Sequence, residues 1–147
     1  MSDQATQSIT IVASPERCYA AVADVEQYPQ WANDIKESKI RSVDNNGRPQ
    51  HVEFRAAAMG RSTRYILNYD FSGAPGTISW SLDSGDIMRT LDGAYTFTAS
   101  TSTPGATDVA YHLEVDLVVP LPGFVKRRAE ARIVHTALQE LKALLEQ

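Results

Sequence analysis

Apolar residues recur along this chain with two different periods. Between Gln7 and Ala13, Ile9, Ile11 and Ala13 alternate with Ser8, Thr10 and Val12, the pattern of a half-buried strand. Ser14-Pro15-Glu16 then offers an N-cap, a proline at the first helical position and an early acid, which together start a helix. Cys18, Tyr19, Val22 and Val25 or Glu26 follow at helical spacing. The residue before a proline disfavours the α region, so this helix is expected to bend or end before Pro29. A second short helical turn is expected around 29–34, carrying Trp31.

From Ile35 the period returns to two. IKESKIRSV (35–43) is a moderately polar strand, and DNNGRP (44–49) is a hairpin turn rich in residues that tolerate the left-handed region. HVEFRAAAM (51–59) sets Val52, Phe54, Ala56 and Ala58 against His51, Glu53 and Arg55, with a turn at Gly60. RSTRYILNYDF (61–71) sets Tyr65, Leu67, Tyr69 and Phe71 against Arg64, Asn68 and Asp70. TISWSL (77–82) carries Ile78, Trp80 and Leu82 on one face, and DSGD (83–86) is read as the next turn. MRTLDGAYTFTA (88–99) carries Leu91, Tyr95 and Phe97, and DVAYHLEVDLVV (108–119) carries Val109, Tyr111, Leu113, Val115 and Leu117.

Strands joined by short turns, each apolar on one side, predict an antiparallel sheet with one wet and one covered face. The cover has to come from the tail. After Pro122-Gly123 the chain runs about 25 residues without a breaker, enough to span a sheet at 1.5 Å per residue. The expected fold is α+β: a curved antiparallel sheet wrapped around a long C-terminal helix, with two short helices after the first strand. At 147 residues a single domain covering 1–147 is expected.

This order of elements is the helix-grip architecture, and the chain resembles the START-like or SRPBCC superfamily, in particular its polyketide cyclase/dehydrase and coenzyme Q-binding branch. ASPERCYAAVADVEQYPQW (13–31) and VDLVVPLPGFVKRRAE (115–130) carry the resemblance, which extends over nearly the whole chain. It implies a cavity between sheet and helix that takes a small hydrophobic or aromatic molecule such as a lipid, a quinone or a polyketide-like compound. It also implies two alternatives: an aromatase/cyclase-type enzyme, or a ribosome- or protein-interacting module of the coenzyme Q-binding branch.

The covered face supplies the candidate lining: Phe54, Tyr65, Leu67, Tyr69, Trp80, Leu91, Tyr95, Tyr111 and Leu113. Its tyrosines are unusual for a sealed core, because each buried phenol needs a hydrogen-bond partner. They suit a guest with polar atoms, or else lie at sheet edges with their hydroxyls in water. Trp31 is expected to close the end of the cup, either against a guest or as a cap on a solid core. Ala56, Ala58 and Gly93 leave room for a ligand or for a large neighbouring side chain.

On the last helix, Ile133, Val134, Ala137, Leu138, Leu141, Leu144 and Leu145 form one apolar arc, and the same arc continues over Lys126, Arg127 and Glu130. Unpaired charges are not buried, so either the start of this helix overhangs solvent at the cavity mouth, the favoured reading, or Arg127 and Glu130 reach a polar part of a guest. The segment 120–130 then borders the opening, with Arg127 or Glu130 at its rim and Phe124 packed close by. The candidate binding set therefore adds Phe124, Arg127, Glu130 and Ile133.

Charge and composition remove other function classes. The net charge of −4 argues against general nucleic-acid binding, although KRR (126–128) is a local basic patch. Cys18, the only cysteine, permits neither an internal disulfide nor a cysteine metal cluster. Its place on an apolar helix face reads as a buried, inert thiol. His51, His112 and His135 are scattered, so no metal is expected, and no cofactor either. Phosphate-loop, HExxH and G-x-S-x-G motifs are missing from the sequence. An acid–base role would fall to Tyr65, Tyr69, Tyr95, Arg127 or Glu130. No apolar run approaches the length of a membrane span, and the first residues lack a signal pattern, so a cytoplasmic location is expected.

Overall fold

The computed structural model describes residues 5–58, 61–118 and 122–147, leaving out the side chains of Ala58 and Arg61. The expected turn at Gly60 and the Pro120 end of the entrance segment lie outside the described residues. Strand β1 (Ala5–Ile11) leads into helix α1 (Pro15–Ala23), a 3-10 turn (Val25–Gln27) and the short helix α2 (Tyr28–Trp31). Strands β2 (Ile35–Val43), β3 (Pro49–Ala58), β4 (Arg61–Asp70), β5 (Thr77–Gly85), β6 (Met88–Ala99) and β7 (Thr107–Leu117) follow, and helix α3 (Gly123–Leu145) ends the chain. The seven strands form one antiparallel sheet in the order β1-β7-β6-β5-β4-β3-β2.

Local chemistry explains the element boundaries. Ser14 caps α1, its hydroxyl accepting from the Arg17 amide at 3.2 Å, and Pro15 occupies the first turn, where no amide hydrogen is needed. The helix stops at Asp24, well before Pro29. Pro29 therefore does not terminate α1; it sits in the first turn of α2. The hairpin between β2 and β3 closes on Asp44, whose carboxylate accepts the amides of Asn46 and Arg48, while Gly47 takes φ +78.

Strand β5 runs longer than expected. Asp83–Gly85 are not a turn but continue the pairing with β4, with a register shift beside Ile66. Toward β6 the register pairing of β5 stops earlier. It runs only from Thr77–Trp80 against Gly93–Thr96, after which the Leu82 amide donates to the Asp92 carboxylate at 3.0 Å.

Helix α3 crosses the covered face against β1 and β7 and reaches α1 and α2. Polar bonds fix it at both ends of that crossing. Gln7 donates to the Ala131 carbonyl at 3.1 Å, Lys142 to the Thr10 carbonyl at 3.0 Å, and Arg17 to the Leu145 carbonyl at 3.2 Å. The Asn33 amide, just past α2, donates to Glu140 at 3.0 Å.

The buried stripe of α3 is Glu130, Val134, Leu138, Leu141 and Leu145. It is narrower than the apolar arc read from the sequence, and two expectations change with it. Ile133 lies one residue, about 100°, round the helix from Val134 and is 38% exposed, so it does not line the interior. Glu130 falls on the stripe and is 1% exposed, so it is not a rim residue.

Candidate functional site

The covered face of the sheet carries a connected row of aromatic rings, produced by strand register. Phe54 and Tyr65 are direct partners across β3 and β4, with ring centroids 5.5 Å apart. Tyr69 and Trp80 are partners across β4 and β5 at 5.8 Å, and Tyr95 and Tyr111 across β6 and β7 at 4.4 Å. Trp80 joins the two groups, 5.7 Å from both Tyr95 and Tyr111. These separations are those of ring pairs that attract one another beyond simple area burial.

Gly93 allows the indole to lie there. It is the register partner of Trp80, and a Cβ on it would fall 2.7 Å from indole Cζ2 and 2.6 Å from the His112 carbonyl oxygen. The space left by this glycine is thus taken by a large neighbour rather than left for a guest.

Burial on the covered face is graded. Ile11, Val52, Ile78 and Val109 on the strands, and Val22, Val134 and Leu141 on the helices that pack over the sheet, have zero exposure and seal part of the core. Ala56, Tyr65, Leu67, Tyr69, Trp80, Leu91, Tyr95, Tyr111 and Val115 each keep between 5% and 9%. The residues with residual access include most of the predicted lining. Phe54 at 2% and Leu113 at 1% belong to the sealed part instead, although Phe54 stacks on the row.

Burial pushes the phenols of Tyr65, Tyr69, Tyr95 and Tyr111 above their ordinary value of 10. They stay protonated at neutral pH and can offer O–H donors to a guest, but they are not bases. Tyr28, which the sequence reading did not select, extends the row beyond Phe54. Its ring stacks on Phe54 at 5.8 Å and meets Trp31 edge-on at 5.3 Å, and its hydroxyl donates to the Val22 carbonyl. The adjacency of Tyr28, Pro29 and Trp31 in sequence was the available signal. Trp31 is half-buried against this end of the core.

The start of α3 differs from expectation. Glu130 accepts the Val115 amide at 2.7 Å, and Lys126 stands 3.9 Å from it while bonding Asp116 at 2.8 Å. Strand β1 pairs with β7 as far as Leu113 within the described residues, so the Val115 amide lies past that pairing. The Glu130 carboxylate supplies the acceptor that a further strand residue would supply, which explains a carboxylate in the core. Arg127 is exposed. Phe124 does not pack against the interior: it is 64% exposed.

The outer face is polar. Glu37 bridges Arg55 and Arg64, and Glu53 bridges Arg41 and Arg64, at 2.6 to 3.2 Å. Depressions of about 360 and 330 Å³ lie at this network, the first bordered by Phe54 and the second by Tyr65 as well as by these charged residues. His51 and His112 bond Ser42 and Thr6 on the same face, and His135 is exposed on α3. Cys18 is buried and its thiol is pushed up by burial, opposed by a hydrogen bond with Thr107. No described helix is long and apolar enough to cross a membrane.

The chain was compared with known proteins. No curated protein sequence matches it. Among solved structures, a START superfamily protein from Mycobacterium smegmatis superposes with a TM-score of 0.92 at 24% identity, covering 98% of this chain and 97% of that one. A Thermus thermophilus protein gives 0.82 at 19% identity, covering 98% and 97%. The Zhui aromatase/cyclase from a Streptomyces species gives 0.82 at 14% identity, covering 99% and 94%. These likenesses establish a shared fold, the START helix-grip. The family model for polyketide cyclase/dehydrase and lipid transport matches residues 2–146, and the chain belongs to that family.

Proposed function

We propose that this protein encloses a small hydrophobic or aromatic molecule between the sheet and α3, against the row from Tyr65 through Tyr69, Trp80 and Tyr95 to Tyr111. One observation carries this reading: these rings keep residual access while other residues of the same covered face, such as Val52, Ile78 and Val109, have none. Leu67, Leu91 and Val115 share that residual access and would supply apolar walls. Family membership supports the same reading, because cyclases and lipid carriers alike must hold an apolar molecule out of water.

The phenols refine the class of guest. Held protonated by burial, they suit a molecule with carbonyl or hydroxyl oxygens on an apolar body, such as a quinone or a polyketide-like compound, better than a bare hydrocarbon. Their raised pKa also weighs against proton abstraction, which favours holding the molecule over converting it. The test is native mass spectrometry of protein from its own host, followed by titration with the compound found. A co-purifying apolar molecule that quenches tryptophan fluorescence, with quenching lost in Trp80→Phe, is expected. Protein that carries nothing and binds neither a quinone nor an apolar fluorescent probe would end this reading.

A further inference from the structure

The exposed side of α3 carries a basic stripe with aromatic and aliphatic residues at its margins. Phe124, in the first turn, is 64% exposed, and Ile133 is 38% exposed. Arg128 and Arg132, four residues apart and hence on one side of the helix, lie exposed between them. Neither arginine has an ion-pair partner among the described residues. This is unusual for the molecule: Arg41, Arg55 and Arg64 are held by carboxylates, and Arg17 and Arg48 donate to backbone carbonyls.

The end of β7 exposes the same two kinds of side chain. Val118, at the end of β7, is 51% exposed, and its amide donates to the Ile87 carbonyl at 2.9 Å. That bond sets Arg89, exposed and likewise without a described ion-pair partner, close to the end of β7. The first half of α3 contains one acid, Glu130, and it is buried against the sheet. In a chain of net charge −4, positive charge is therefore concentrated where large apolar side chains also face water.

We propose that this surface docks on an anionic lipid bilayer, with Phe124 entering the headgroup boundary and Arg128 and Arg132 over the phosphates. The chemistry fits: an exposed phenylalanine suits the headgroup boundary, and arginines beside it match a negative surface. The charge of the remaining molecule opposes binding only weakly, because salt screens charges beyond about 8 Å at physiological ionic strength. The inference rests on the surface of α3 and not on the cavity. A bilayer would be a natural source of an apolar guest, yet the assay contains no guest and succeeds or fails without one.

The experiment is co-sedimentation of the full chain with vesicles of phosphatidylcholine alone or mixed with phosphatidylserine. Binding to the serine-lipid vesicles, reversed by added salt, is expected. Arg128→Gln and Arg132→Gln should each weaken it on the order of fivefold, and Phe124→Ala by about tenfold or more. All three sites are exposed, so circular dichroism should show unchanged folding. Equal or absent binding to both vesicle types, or wild-type binding in Phe124→Ala and the double arginine variant, would overturn the proposal. Retention on an immobilised polyanion without vesicle binding would overturn it as well, assigning the stripe to an anionic macromolecule.

Discussion

Gly93 and Trp80 are register partners across β5 and β6, and the indole fills the volume that a side chain at position 93 would occupy. The sheet gives up a side chain in one strand to lay the largest ring in its neighbour flat over the backbone. The contact with the His112 carbonyl leaves little room for relaxation, because that obstacle is main chain. Gly93→Ala should destabilise the protein by about 1–3 kcal/mol, the usual cost of overpacking. It should also alter the near-ultraviolet circular dichroism of the displaced indole. Urea denaturation with that spectrum checks both outcomes.

Trp80 and His112 offer a test of the two sheet faces. Trp80 is buried on the covered side, whereas His112 bonds Thr6 on the outer side. Trp80→Ala should cost about 3–5 kcal/mol and abolish binding of an apolar fluorescent probe. His112→Ala should change stability by about 0.5 kcal/mol or less and leave probe binding intact. Probe titrations in variants matched for fraction folded separate lost lining from lost folding.

Glu130 should behave as a structural residue. Glu130→Ala removes the acceptor of the buried Val115 amide, and an amide stripped of its partner costs about 1–3 kcal/mol. Glu130→Gln keeps a carbonyl oxygen in reach and should recover part of that loss. Urea midpoints of the two variants check the order. An exposed rim carboxylate would show neither effect.

The outer-face carboxylates contribute to the acid limb of stability. Arg55 and Arg64 hold Glu37 below its ordinary value of 4.5, and Arg41 and Arg64 do the same for Glu53. A folded-state pKa below the unfolded one gives stability that is present above the unfolded value and lost as pH falls through the folded one. Stability should therefore decline from about pH 5 downward, and Arg64→Met, which touches both acids, should flatten that decline. Thermal midpoints measured across the acid range decide it.

At the alkaline end the sign is opposite. The buried tyrosines have folded values raised above 10, so the stability they confer is intact below pH 10 and is lost as the unfolded chain ionises. Phenolate absorbance for these four rings should rise together with unfolding and not before it. Replacing Tyr95 and Tyr111 with Phe should move the alkaline midpoint upward.

How much of this was readable without coordinates follows from which physical rule each element obeys. Strands β2 to β7 announce themselves because each has one wet face, so alternation survives in residues such as Leu67, Asn68 and Tyr69. The same alternation placed the aromatic row correctly on the covered side. The helix was less legible. An arc drawn from hydrophobicity takes in Ile133 and passes over Glu130, and desolvation alone then sends the acid out to solvent, whereas packing against β1 and β7 selects a narrow stripe that includes the acid and excludes the isoleucine. What helps to make Glu130 acceptable there is a backbone amide past the end of a strand pairing, with Lys126 nearby, and no side-chain pattern records that amide. The length of β5 was missed for a related reason: Asp83, Ser84 and Gly85 have turn chemistry, but pairing with β4 outweighs it.

The boundary between β5 and β6 has a further consequence. Across it, main-chain register is confined to Thr77–Trp80 and Gly93–Thr96, after which a carboxylate at Asp92 takes over from the backbone at Leu82. Mechanically, the sheet is two leaves, one of β1, β7 and β6 and one of β2 to β5, sewn together along a short seam beside Trp80. A change in curvature would concentrate where the stitching is shortest, and there it would alter the breadth of the cup. The Leu82 amide, held by a side chain that can rotate away, is the proton whose exchange rate would report that flexing.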